Sequence, residues 1–106
     1  MKIIKKISEQ IDEELKDAQK YLRCAFNFID ESPALADMYY DLSVEEMGHV
    51  SKLHDMVVKI INEYSETNPI PEGMKAIYDY LHEQHMKMAR KIKAKQEEFR
   101  EDSSTE

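Results

Sequence analysis

The chain reads as an all-α protein, an antiparallel helical hairpin followed by a third helix, and three observations lead there. Only two Gly and three Pro occur in 106 residues, too few turn formers for a β fold. Apolar side chains recur at alternating spacings of three and four, the period of a helix face. Helix-breaking residues cluster at two places, Asp30–Pro33 and Thr67–Gly73, and these divide the chain into three long segments.

The first helix is expected over about residues 3–30, with the stripe Ile4, Ile7, Ile11, Glu14, Ala18, Tyr21, Ala25 and Phe28. Asp30-Glu31-Ser32-Pro33 then supplies a break, an N-cap and a first-turn proline. The second helix is expected over about residues 33–65, with the stripe Leu35, Tyr39, Leu42, Glu46, His49, Leu53, Met56 and Ile60. After the Pro- and Gly-containing connection, the third runs over about residues 72–100, with Met74, Tyr78, Leu81, His85, Met88, Ile92, Lys95 and Phe99 on one face. One domain, 1–100, accounts for all three, and the polar residues 101–106 read as a frayed tail.

Composition narrows the function. A net charge of -7 disfavours nucleic acid and anionic membranes as partners, and the basic run Arg90, Lys91, Lys93 and Lys95 reads as a solvated helix face. Cys24 is the single cysteine, so no intrachain disulfide forms, and a packing or surface role is expected for it. No apolar run is long enough for a membrane span or a signal peptide. A cytoplasmic protein is the expectation.

Two stripes carry polar side chains where hydrophobes belong. Glu14 interrupts the first, and Glu46 and His49, three residues apart in Glu46-Met47-Gly48-His49, interrupt the second. Ionisable groups placed on core faces need a cation or must be neutralised, because unpaired buried charge is costly. Register tests whether they meet. Glu14 lies 18 residues before Ser32, Glu46 lies 14 after it and His49 lies 17 after it, so in an antiparallel hairpin all three stand at about one level. The third helix reaches that level near Met88 to Ile92, which offers no usual metal ligand.

One chain thus supplies two carboxylates and one imidazole, half of a known inventory. A carboxylate-bridged dimetal centre in a four-helix bundle takes one Glu from each of two helices and a Glu-x-x-His from each of the other two. Two hairpins related by a two-fold axis provide that set, and four carboxylates balance two divalent ions.

On Glu14, Tyr21 two turns later and Glu46-Met47-Gly48-His49 some thirty residues on, the chain resembles the ferritin-like superfamily, and within it the half-length encapsulated ferritins. The likeness spans roughly Ile11 to Ile60. It implies a homodimer, or a larger even-numbered assembly, whose subunits complete a ferritin-like four-helix bundle with a di-iron site between them. It also implies ferroxidase activity, Fe²⁺ being oxidised with dioxygen or peroxide in iron storage or detoxification. Two Fe ions per dimer would be held by Glu14, Glu46 and His49, with Glu46 bridging, and Tyr21 would approach them as a fourth catalytic-site residue. Zn or Mn would fit the same donors. An encapsulin shell is the partner that such proteins use. This chain ends in polar residues with nothing apolar to dock there, so the protein nanocompartment is the second location, after free cytoplasm.

The remaining residues have plainer readings. Glu13 and Glu45 stand one step off the stripes and serve as reserve ligands. Gly48 permits close helix approach or leaves room beside the metals. His54, His82 and His85 read as partly buried or surface side chains rather than a second metal site, and the seven Met residues as gap-filling core. Two other functions remain open from the residues: a metal-free helical interaction module, in which the polar residues set register, and a rubrerythrin-like peroxide reductase, which would need an external reductant.

Overall fold

The computed structural model describes residues 1–104, which form three helices: α1 (Lys2–Phe28), α2 (Pro33–Thr67) and α3 (Glu72–Ser104). Among the described residues there is no strand.

Each break has a local cause. Ser32 is extended and its hydroxyl accepts the Leu35 N–H at 3.4 Å, while Pro33 takes the first helical turn, where a missing N–H is harmless. The Ser32 N–H closes the turn on the Phe28 carbonyl at 2.9 Å. At the far end of α2, Asn68 becomes extended and donates its N–H to the Tyr64 carbonyl, just before two prolines that cannot extend the helical ladder.

The third helix is longer than its sequence suggested. Residues 101–104, expected as part of a frayed tail, continue α3; the same expectation for residues 105 and 106 lies outside the described residues. Phe99 explains the extension. It is 1% exposed and packs edge-on against Phe26 and stacked on Tyr40, so tertiary burial holds the last turns of a segment that contains no breaker.

The helices run along one axis of a body measuring 55 × 17 × 16 Å. Ser43 marks where they meet: its hydroxyl donates to the Ala18 carbonyl at 2.8 Å and accepts from Gln96 Nε2 at 3.0 Å. This tie sets α1 and α2 antiparallel, with α3 returning beside them. Ala18, Ala25, Ala36 and Ser43 are fully buried, and these small side chains let α1 and α2 approach closely. Leu15, Leu22, Ile92 and Phe99 fill the core that α3 closes.

Where the two stripes lie relative to α3 differs from the sequence expectation. On α1 the buried set is Ile4, Ser8, Ile11, Leu15, Ala18, Leu22 and Ala25, whereas Ile7, Glu14, Tyr21 and Phe28 are half-buried. On α2 only Ala36, Ser43 and Val50 are buried; Leu35, Tyr39, Leu42, Glu46 and Leu53 are half-buried, and His49 and Met56 are exposed. The cause is the position of α3. It covers the α1 flank carrying Asp12, Leu22 and Phe26, and at 100° per residue the Glu14 and Tyr21 flank points the other way. The hairpin therefore has one flank under α3 and one open flank.

Candidate metal centre

Glu14, Glu46 and His49 stand together on that open flank, midway along the hairpin. Each offers one ligand atom, and the three atoms lie within 4.8 Å of one another. His49 Nδ1 is 3.4 Å from Glu14 Oε2 and 3.7 Å from Glu46 Oε2. The positioning is local helix geometry: Glu46 and His49 are one turn apart on α2, and the Ser32 turn brings Glu14 of α1 to the same height.

The side chains keep 29%, 17% and 53% of their exposure for Glu14, Glu46 and His49 respectively. The trio is thus a half-open cluster in a single chain. Burial is deepest at Glu46. Its Oε2 is sealed from solvent and has no hydrogen-bond partner among the described residues, since 3.7 Å exceeds hydrogen-bond reach. A buried carboxylate oxygen left in this way calls for a proton, a hydrogen-bond donor or a cation.

The donor set fits a divalent metal. Two donors each about 2.1 Å from a shared ion stand at most roughly 4.2 Å apart; the two separations from His49, 3.4 and 3.7 Å, satisfy that bound, while the group as a whole spans up to 4.8 Å and would have to close slightly around one ion. Two carboxylates and one imidazole suit Fe²⁺, Mn²⁺ and Zn²⁺, and three protein donors leave coordination positions open.

The surroundings are aromatic and aliphatic. Tyr21 stacks on Tyr39 with centroids 6.3 Å apart, and Phe28 stacks on the other side at 6.1 Å. Tyr21 thus sits on the Glu14 flank as its spacing requires, but no hydrogen bond joins its hydroxyl to the trio. Glu13 and Glu45 are exposed and stand outside the cluster. Gly48 lines the α3 side of α2, with Ser51, Ala89 and Lys93 nearby. A methyl group there would meet nothing within 4 Å, so close helix approach within the chain does not explain the glycine.

His85, on the α3 stripe, is buried and paired with Asp12 at 2.8 Å. His54 and His82 face each other across α2 and α3 at 3.1 Å. Counting back from the second turn sets His54 near the level of His82, so register brings the two together, although from sequence both read as partly buried or surface side chains.

None of the described helices is long and apolar enough to cross a membrane. No protein-family model, curated protein or solved structure matches the chain. Its function is therefore argued from the chemistry of the trio and the flank that carries it.

Proposed function

We propose that the protein is a ferroxidase whose site is completed by a second copy of the chain, the open flank of one hairpin packing on that of another. The observation that carries this reading is the convergence of Glu14, Glu46 and His49 around a buried carboxylate oxygen that has no hydrogen-bond partner among the described residues. Three protein donors are too few for a carboxylate-bridged pair of ions, and two-fold symmetry doubles them to four carboxylates and two imidazoles.

The flank supports the same arrangement. Ile7, Tyr21, Phe28, Tyr39, Leu42 and Leu53 form a half-buried apolar strip on either side of the trio, and a second hairpin would bury it. Without metal, four clustered carboxylates repel across the two-fold axis. With two divalent ions their charges cancel, so iron binding and dimerisation reinforce each other.

Fe²⁺ is the substrate. Glu14 and His49 hold an ion from one chain and Glu46 reaches between the two. The anionic oxygens favour Fe³⁺ over Fe²⁺, which lowers the cost of losing an electron. Two Fe²⁺ ions give up one electron each, and dioxygen with two protons becomes hydrogen peroxide; peroxide in place of dioxygen becomes water. Packed against a second hairpin, the apolar strip would exclude bulk solvent, and no protein nucleophile takes part. Fe²⁺ persists in reducing surroundings, which places this activity in the cytoplasm or in a compartment supplied from it, where it serves iron storage or detoxification.

Anaerobic titration with Fe²⁺ is expected to saturate at about one ion per chain, followed by oxidation on admitting air or peroxide. Glu46→Ala or His49→Ala should abolish both saturation and turnover. Either variant oxidising iron at the parent rate would refute the assignment.

A further inference from the structure

We propose that His54 and His82 form a second metal site, a two-imidazole clamp for a divalent ion of the zinc, nickel or copper class that ties α2 to α3. The site lies on the side of α2 that faces α3, five residues beyond His49, shares no donor with the trio and does not depend on the ferroxidase reading.

His54 Nε2 and His82 Nδ1 are 3.1 Å apart, and their ring centroids are 4.8 Å apart at an interplanar angle of 30°. A straight N–H···N hydrogen bond between two imidazoles would hold the centroids roughly 5.4 Å apart, with each ring behind its own nitrogen. The shorter centroid distance means that the rings do not stand end to end along such a bond. Two imidazoles bound to one ion at about 2.05 Å have nitrogens roughly 3.1–3.4 Å apart, and the observed separation lies in that range. The second nitrogen of His54 faces Asp55, whose Oδ1 is 3.8 Å away. That separation is beyond hydrogen-bond reach, so Asp55 does not fix the ring in this structure.

The surroundings limit what the clamp can be. Both histidines line a cavity of about 280 Å³ whose floor is Ile4, Ile11 and Val57, with Asp79 on its wall. Ser8, Tyr78 and His85 also line it. Among the described residues only Glu14, Glu46 and His49 form a three-donor cluster. The clamp therefore has two protein donors and takes water for the rest, with Asp79 one helical turn before His82 and on the same cavity. Imidazole donors select zinc, nickel and copper over calcium and magnesium. The ion would act where the packing is sparsest, since α3 lies mainly along α1 and touches α2 less.

The probe is Zn²⁺ alone, titrated calorimetrically into the full chain and into a Glu14→Ala, Glu46→Ala, His49→Ala variant that lacks the trio. NMR of the histidine rings follows both titrations. The trio-free variant should still bind one Zn²⁺ per chain with perturbation of His54 and His82, and adding His82→Gln should weaken that binding at least tenfold. If the trio-free variant is unfolded by circular dichroism, His82→Gln in the parent decides instead, the stoichiometry falling by one Zn²⁺ per chain. Unchanged Zn²⁺ binding in His82→Gln, or a folded trio-free variant that binds none, would overturn the clamp. Iron oxidation is a separate readout: His82→Gln should leave it intact, so the two sites fail independently.

Discussion

Replacing Glu46 with Leu should make the metal-free protein more stable while abolishing its response to iron. Glu46 keeps 17% of its side-chain exposure, and its Oε2 has no hydrogen-bond partner. A buried polar atom left unsatisfied costs about 1–3 kcal/mol. Leucine removes that cost and continues a strip already containing Leu42 and Leu53. The expected gain is therefore about 1–3 kcal/mol, or roughly 5 °C or more in melting temperature for a chain of this size. Thermal melts at fixed protein concentration with a chelator present measure it. Anaerobic Fe²⁺ at a hundred times its dissociation constant should then stabilise the parent by about 2.7 kcal/mol and leave Glu46→Leu unmoved. A metal-free Glu46→Leu protein less stable than the parent would refute the reasoning, because Glu46 would then be holding the fold together rather than awaiting a cation.

Two further perturbations follow from single residues. Gly48→Ala should raise stability by roughly 1 kcal/mol in urea unfolding, because a helix-interior glycine is replaced where the new methyl group meets nothing; a loss would show that a neighbour occupies that space. The Tyr78 phenol should titrate above its ordinary value of 10.0, chiefly because burial disfavours its charged form and secondarily because of Tyr64. With the folded value raised above the unfolded one, its stabilising contribution is full below pH 10 and is lost as pH rises through the folded value. Ultraviolet titration of the parent against Tyr78→Phe isolates this phenol, and a midpoint at or below 10 would contradict it.

The helical layout was legible because the breakers around Ser32 and Pro69 are strong and few, and counting residues outward from Ser32 placed Glu14, Glu46 and His49 level. Exposure was not legible. The first helix carries apolar side chains at 4, 11, 18 and 25, at 8, 15 and 22 where Ser8 precedes two leucines, and at 7, 21 and 28 around Glu14. Periodicity alone does not say which flank of so broad a face a later helix will cover. That choice is made by Phe99, Ile92 and His85 of α3, which dock on Phe26, Leu22 and Asp12. Glu14 and His49 are left on the other side. The length of α3 was likewise decided by a tertiary contact, Phe99 between Phe26 and Tyr40, that no local propensity encodes.

Molar mass in solution, measured under anaerobic conditions with and without Fe²⁺, tests most directly whether two chains share the metal. At a dilution where the metal-free protein is partly dissociated, Fe²⁺ should drive it to particles of two 12.5 kDa chains, or an even multiple, carrying one ion per chain. Iron bound by a single chain, or a mass distribution that Fe²⁺ leaves unchanged, would contradict the shared site.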